Sequence, residues 1–152
     1  MLLENTNQMN LNFIPFPKIT TERLILRPLE MTDAPTMFHL RAHPKVHQFL
    51  ESFAPKSVEE IEALIEKLQH GIAQNNWIFW AISLKNQPKL IGTITLWNIN
   101  KQKKKADIGY ELHPDFHRKG IMQEALVAVL DYGFKTIQFN TIEGMTHREN
   151  KA

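Results

Sequence analysis

The chain has 152 residues, 43% of them hydrophobic and 22% charged, and a formal net charge of +2. This length and composition are typical of one globular domain rather than of a disordered chain, and so small a net charge does not by itself indicate a nucleic-acid-binding protein. Because the chain contains no cysteine, disulfides, thiolate metal sites and a cysteine nucleophile are excluded.

We expect neither a secretory signal nor a membrane span. The first ten residues, MLLENTNQMN, lack the basic and apolar segments of a signal peptide. The longest apolar run, WIFWAISL at 77–84, is far shorter than the roughly 20 residues that cross a bilayer. The sequence therefore predicts a cytoplasmic protein that does not enter a membrane.

The N-terminal part predicts an arm followed by a strand. Residues 1–18 are polar and then interrupted by Pro15 and Pro17, which is typical of a flexible arm outside a domain at 19–152. RLILRPL (23–29) alternates as a first β-strand does.

Two helices are predicted next. Thr32 as an N-cap, with Pro35 in the first turn, predicts a helix over 33–42. A second helix is predicted over 58–73, because Ser57 opens a capping-box sequence and apolar residues then recur at helical spacing.

The remaining elements complete a sheet. Strands at 77–84, 90–99 and 106–112 predict an antiparallel meander joined by the polar stretches KNQPK and KQKKK. A helix over 120–134 and a strand over 136–145 then predict a crossover. The predicted fold class is α/β (α+β), with a mostly antiparallel central sheet flanked by helices.

Two groups of side chains are assigned to structure rather than to a ligand. His39, His43 and His47 recur every four residues, but Pro44 interrupts a continuous helix and no carboxylate completes a site, so no metal is expected. Four aromatic residues lack the interleaved basic residues of a base-stacking surface and are expected in the core or in a cleft wall: Trp77, Phe79, Trp80 and Trp97.

The segment HPDFHRKGIMQEAL (113–126) places a basic loop directly before a helix. Unpaired N–H groups and the helix dipole concentrate positive charge at a helix N-terminus. Gly120 lets a ligand approach the backbone, and Arg118 and Lys119 add two cations, so the segment fits a phosphate or pyrophosphate. The alternative is an ordinary helix start with two solvated basic residues. The dinucleotide-binding glycine motif and the P-loop motif are both absent.

The longer segment GYELHPDFHRKGIMQEAL (109–126) resembles motif A of the Gcn5-related N-acetyltransferase (GNAT) superfamily. Within it, the sequence is most similar to the branch of ribosomal-protein N-terminal acetyltransferases. The family's [Q/R]-x-x-G-x-[G/A] loop corresponds to 117–122, with His in place of Gln or Arg and Met in place of the last small residue. TERLILRPLEMTDA (21–34) resembles the usual opening of the branch, and the resemblance extends over 20–152.

The resemblance implies a GNAT acyl-CoA N-acyltransferase fold with acetyl-CoA as co-substrate and no metal. It places the pyrophosphate on backbone N–H groups of the loop, which consists of His117, Arg118, Lys119, Gly120, Ile121 and Met122. Glu111, Leu112 and His113 would flank the thioester, and an N–H near Leu112 would stabilise the oxyanion. The acceptor amine attacks directly, so no acyl-enzyme forms.

The acceptor amine must lose a proton in such a reaction. Glu111 is the first candidate for the base, directly or through water, and Glu143 on the following strand is the second. A solvent-facing strand carboxylate without a catalytic role is the alternative for Glu111.

The resemblance also implies that family members continue past an N-x-A-S segment into another helix and strands. Asn150 corresponds to the first residue of that segment and would contact the pantetheine arm. We expect the C-terminal helix and strands to be missing. Either the chain is then a truncated product, or another subunit covers the exposed edge at 136–145, which makes a homo-oligomer a candidate partner.

We therefore expect an N-acetyltransferase that moves an acetyl group from acetyl-CoA to a primary amine. The acceptor is a protein N-terminal α-amine, such as that of a ribosomal protein, or a small-molecule amine. The alternative is a GNAT-fold module that binds acyl-CoA without turnover. KQKKK (101–105) is expected to be a solvated turn, and association with RNA or the ribosome through it is the least favoured function.

Overall fold

The computed structural model describes residues 9–47 and 54–144, which form a six-stranded sheet flanked by helices. The first five strands pair antiparallel with their chain neighbours, whereas the fifth and sixth are parallel. The strands are β1 (Ile19–Thr20), β2 (Leu24–Arg27), β3 (Ile78–Leu84), β4 (Gln87–Asn100), β5 (Lys105–Leu112) and β6 (Thr141–Gly144). The predicted fold class, a mostly antiparallel sheet ending in a crossover, is confirmed.

The main helices lie close to their predicted positions. They are α1 (Ala34–Ala42), α2 (Pro44–His47), α3 (Val58–Ala73) and α4 (Ile121–Asp131). The start of α3 is capped as predicted, because the Ser57 hydroxyl accepts a hydrogen bond from the Glu60 N–H at 3.2 Å. The predicted Thr32 cap is wrong. The chain instead enters α1 through a 3₁₀ turn over Met31–Asp33, in which the Asp33 carboxylate accepts from the Glu30 N–H at 2.8 Å.

The hydrophobic core lies on both faces of the sheet. Alternating strand residues such as Leu24, Trp80 and Ile94 are buried on one face, together with the inner side of α4. The opposite face carries Ala81 and packs against α1 and α3. Burying each large apolar side chain contributes about 1.5–3 kcal/mol, so both layers stabilise the position of β5 between them.

The predicted strand over 136–145 is wrong in its first part. Helix α4 passes into a π-helical turn over Tyr132–Ile137, and strand structure begins only at Thr141. Gln138, at a φ of +73°, ends the helix, and the Phe139 N–H donates to the Gly133 carbonyl at 3.0 Å. Ile137 and Phe139 are both buried, as alternate residues of a strand would be. The alternation in the sequence therefore predicts the start of the strand too early.

The buried face of α4 differs in part from the core-facing stripe that helical spacing in its sequence predicts. That stripe consists of Met122, Leu126, Val129 and Phe134, with Ile121, Ala125 and Leu130 beside it. Ile121, Ala125 and Val129 are buried, at a spacing of four residues, whereas Phe134 is 43% exposed. The helix is therefore rotated relative to the stripe that runs through Met122 and Phe134.

Part of the predicted flexible arm is attached to the domain. Phe13 is fully buried, and its N–H donates to the Asn75 side-chain oxygen at 2.8 Å. The Trp80 indole N–H donates to the Pro17 carbonyl at 2.8 Å. These contacts hold residues 9–18, while residues 1–8 lie outside the described part of the chain. In that part, no helix is both long enough and apolar enough to cross a membrane.

Candidate functional site

The C-terminal end of β5 directs backbone groups away from β4. The His113 N–H donates to the Ile91 carbonyl at 2.9 Å, so these two residues form a hydrogen-bonded pair. Hydrogen-bonded and non-bonded pairs alternate along an antiparallel ladder. Leu112, opposite Gly92, is therefore a non-bonded residue whose N–H points to the β6 side of the strand. Tyr110 has the same orientation.

The chain then folds back on itself before α4. His113 begins a 3₁₀ turn, and its Nδ1 accepts from the Asp115 N–H at 3.1 Å. The Nε2 of His117 lies 2.8 Å from the Leu112 carbonyl, which ties the loop to the end of β5. Arg118 and Gly120 both adopt left-handed backbone conformations, at φ values of +64° and +73°.

A run of backbone N–H groups at the start of α4 has no acceptor among the described residues. The first hydrogen bond of the helix runs from the Glu124 N–H to the Gly120 carbonyl at 3.0 Å. Within residues 9–47 and 54–144, no acceptor is bonded to the N–H groups of 118–123. These groups and the helix dipole favour an anion, and the exposed side chains of Arg118 and Lys119 add positive charge. Ile121 is buried and Met122 is half-buried, so these two residues offer backbone rather than side-chain contacts.

A second set of contacts joins the loop to the start of β2. The Arg23 Nε donates to Oε1 of Glu124 at 2.7 Å, and its Nη1 donates to the Lys119 carbonyl at 2.9 Å. Oε2 of Glu124 accepts from the Arg23 N–H at 2.8 Å and from the Thr21 hydroxyl at 2.5 Å. Burial raises the pKa of Glu124, but these hydrogen bonds and the charge of Arg23 outweigh burial and lower it. Sequence reasoning missed Arg23 and Glu124 as parts of the site, because no local pattern relates residues 101 positions apart.

Glu111, the first candidate base, is buried against α1. Its side chain is only 6% exposed, and Oε1 accepts from the Arg41 Nε at 2.9 Å. The alternative of a solvent-facing carboxylate is therefore wrong. Among the described residues, Oε2 has no hydrogen-bond partner.

Two histidines lie beside this ion pair. The rings of His43 and His113 meet edge to face with centroids 5.4 Å apart. Each Nδ1 accepts a backbone hydrogen bond, from Lys45 and Asp115 respectively, so each neutral ring carries its proton on Nε2. The sequence predicts a structural role for His43 rather than a metal ligand, and the structure places its ring against that of His113 at the end of β5. In the described ranges, no group of three or more His, Asp or Glu side chains could hold a metal ion.

Glu143, the second candidate base, lies elsewhere. Its side chain is 54% exposed and forms an ion pair with Lys105 at 2.5 Å. It pairs across β5–β6 with Asp107, four residues before Glu111 and hence about 13 Å away along the strand. The structure therefore does not bring the two candidate bases together. Asn150 lies outside the described residues.

Comparison with known proteins identifies the family. Residues 23–152 match the acetyltransferase (GNAT) domain family. The uncharacterized N-acetyltransferase YoaA of Bacillus subtilis (strain 168) is 28% identical over 137 residues, which cover 90% of this chain and 77% of YoaA.

Solved structures share the fold. The ribosomal-protein-S5-alanine acetyltransferase of Vibrio fischeri has a TM-score of 0.77 and 21% identity, covering 89% of this chain and 76% of that protein. RimJ of Mycobacterium smegmatis, solved in complex with CoA-disulfide, has a TM-score of 0.73 and 23% identity, covering 84% of this chain and 64% of RimJ. The resemblance noted from motif A is thus confirmed, and the chain belongs to the GNAT family of acetyltransferases.

Proposed function

We propose that this enzyme transfers the acetyl group of acetyl-CoA to a primary amine by direct attack, with the CoA diphosphate bound at residues 117–122. One observation carries the proposal: six consecutive backbone N–H groups, those of 118–123, have no acceptor in the described residues and follow directly on the loop that His117 ties to the end of β5. Two left-handed residues, Arg118 and Gly120, shape this concave anion site. The GNAT family supplies the donor class, and the CoA-disulfide complex of RimJ is consistent with it.

The backbone of β5 has the orientation that the transfer needs. The acceptor nitrogen attacks the thioester carbon, and the carbonyl oxygen becomes negative in the tetrahedral intermediate. The Leu112 N–H, which points away from β4, is the proposed donor to that oxygen. The carbon–sulfur bond then breaks, and the amide and the CoA thiolate are formed. His113, at the same strand end, is proposed to flank the thioester.

Glu111 is the proposed proton acceptor. The Arg41 guanidinium fixes one oxygen of the carboxylate in an ion pair, which leaves the second oxygen to accept a proton from the amine directly or through water. Glu143 remains the second candidate, but it is exposed and already paired with Lys105. The buried position of Glu111 beside β5 is the reason for ranking it first.

The acceptor class is a finer proposal. The similarity in fold to a ribosomal-protein-S5-alanine acetyltransferase supports a protein N-terminal α-amine, such as that of a ribosomal protein. A small-molecule amine is the second candidate, because the acceptor cleft of a fold varies more than its cofactor cradle. We retain from the sequence the predictions of a cytoplasmic location and of an oligomer that covers the sheet edge.

Calorimetric titration with acetyl-CoA tests the diphosphate site. Gly120→Asp and Gly120→Asn form a matched pair, because both side chains tolerate the left-handed conformation and only the first adds negative charge. We expect the Asp variant to lose binding and the Asn variant to retain most of it, with both folded by circular dichroism. Equal binding by the two folded variants would rule out an anion at this loop.

An amine panel tests the reaction itself. Acetyl transfer to an N-terminal peptide or to a small amine, followed by mass spectrometry, would support the proposed enzyme. Tight acetyl-CoA binding without turnover on any amine in the panel would instead favour the acyl-CoA-binding module.

A further inference from the structure

Arg23 is far in sequence from residues 117–122, the proposed diphosphate loop, but it contacts this loop in space. Its guanidinium bridges two groups, the Lys119 carbonyl at 2.9 Å and the Glu124 carboxylate at 2.7 Å. Nη2 of the same side chain lies 3.5 Å from where a Cβ of Gly120 would be. The start of β2 therefore forms one side of the loop.

We propose that Arg23 is a positioning residue for acyl-CoA binding, which orients the 119–120 peptide so that its N–H faces the diphosphate. This inference rests on the proposed function. In a trans peptide, the carbonyl and the following N–H point in opposite directions. By binding the Lys119 carbonyl, Arg23 holds this peptide so that the Gly120 N–H points in the opposite direction, away from Arg23. Without Arg23, that carbonyl is free to rotate toward the anion and repel it.

Arg23 also offsets the negative charge of Glu124. A carboxylate in the first turn of α4 carries the same sign of charge as a diphosphate and opposes its binding. Arg23 and Thr21 occupy both oxygens of this carboxylate, and the Arg23 cation offsets its charge. The side chain of Glu124 is 19% exposed, so it is held against β2 and away from solvent. The loop thus keeps its positive character although an acidic residue lies beside it.

Comparing the binding of acetyl-CoA with that of acetyl-pantetheine distinguishes a role in diphosphate binding from a general effect on protein stability. Acetyl-pantetheine carries the same thioester but no diphosphate. Binding of both donors is measured for the full chain and for Arg23→Gln. We expect the variant to weaken acetyl-CoA binding about tenfold or more, as loss of a charge-assisted hydrogen bond does, and to leave acetyl-pantetheine binding unchanged. An equal loss for both donors, or no loss for either, would overturn the inference.

Three further variants control for charge and folding. Arg23→Lys keeps the charge but lacks the planar guanidinium, whose separate Nε and Nη1 donors reach the two acceptors, so we expect it to bind acetyl-CoA as weakly as Arg23→Gln. Full rescue by lysine contradicts the positioning role. Lys101→Gln removes one exposed positive charge from the β4–β5 turn and is expected to bind normally. Thr21→Val removes a bond to the same carboxylate but leaves the bond to the Lys119 carbonyl, so we expect it to weaken acetyl-CoA binding less than Arg23→Gln does. A loss as large as that of Arg23→Gln would assign the effect to the carboxylate and overturn the positioning role.

The wild-type result distinguishes the two levels of the proposal. If wild type does not prefer acetyl-CoA to acetyl-pantetheine, the diphosphate site fails and the inference fails with it. If wild type shows the preference and folded Arg23→Gln keeps it, only the role of Arg23 is wrong.

Discussion

Nε of Arg41 donates to Oε1 of Glu111 across 2.9 Å, joining the last turn of α1 to the end of β5. The two side chains are only 19% and 6% exposed. A buried ion pair of this kind fixes the direction of the carboxylate, and it links helix α1 mechanically to the strand proposed to hold the thioester.

Replacing Glu111 with Gln tests its role as the base. The amide keeps the shape and a hydrogen-bond acceptor but cannot take a proton, so we expect kcat to fall by about 10²-fold or more. The affinity for acetyl-CoA should not change, because the diphosphate loop is intact. Glu143→Gln, on the exposed edge, is the matched control. A larger loss of kcat in Glu143→Gln than in Glu111→Gln would exchange their roles.

Replacing Arg41 with Met tests the cost of leaving Glu111 unpaired. Removing one partner of a buried ion pair destabilises a protein by about 3–5 kcal/mol, because the other charge stays buried without compensation. We expect a loss of this size in the free energy of urea unfolding. The double variant Arg41→Met/Glu111→Gln should recover much of it. If the double variant is less stable than Arg41→Met alone, the two residues are not coupled in this way.

The buried phenol of Tyr132 makes the free energy of unfolding depend on pH in the alkaline range. Burial next to Trp80 raises the pKa of Tyr132 to about 12. Since the unfolded value is about 10, the contribution of Tyr132 to stability is complete below about pH 10 and is lost as the pH rises toward 12. We expect Tyr132→Phe to weaken the fall of the melting temperature over this range. Tyr110→Phe, at a 39% exposed position, is the control, and equal effects of the two substitutions would refute the prediction.

Gly92 allows β4 and β5 to pair closely at the site. A Cβ on this residue would lie 2.4 Å from the Glu111 carbonyl oxygen, and backbone cannot yield as a flexible side chain can. We expect Gly92→Ala to cost about 1–3 kcal/mol of unfolding free energy and to lower kcat by displacing Glu111. At Gly109 the corresponding contact is a 3.3 Å approach to the Thr95 methyl group, so Gly109→Ala should cost less stability. A larger loss of unfolding free energy in Gly109→Ala than in Gly92→Ala would contradict this account.

Much of the fold could be predicted from local sequence, because strand alternation and helical spacing are local signals. Ser57 and the apolar spacing after it gave α3 its observed bounds. The boundary near Ile137 could not be found in this way, since burial of Ile137 and Phe139 fits both a strand and the end of a helix.

The candidate site also has one part that could be predicted from local sequence and one part that could not. The loop at 117–122 is a contiguous motif, and its conformation follows from the left-handed residues Arg118 and Gly120. The partner of Glu111 could not be found from sequence, because Arg41 is 70 residues away and the contact exists only once α1 lies across the sheet. The burial of Glu111 is therefore tertiary information, as is the bridge from Arg23 to Lys119.

The two-faced core has a consequence for how such a protein can diversify. The diphosphate loop continues into α4 on one face of the sheet, whereas Arg41 and His43 belong to the layer of α1 on the other. Among the described residues, only Trp77 and Phe79 pack against both clusters, so substitutions in one layer should have effects on stability that add to those in the other. Sequence changes can thus accumulate in the layer of α1 and α3, while the layer of the loop and α4 is inherited unchanged.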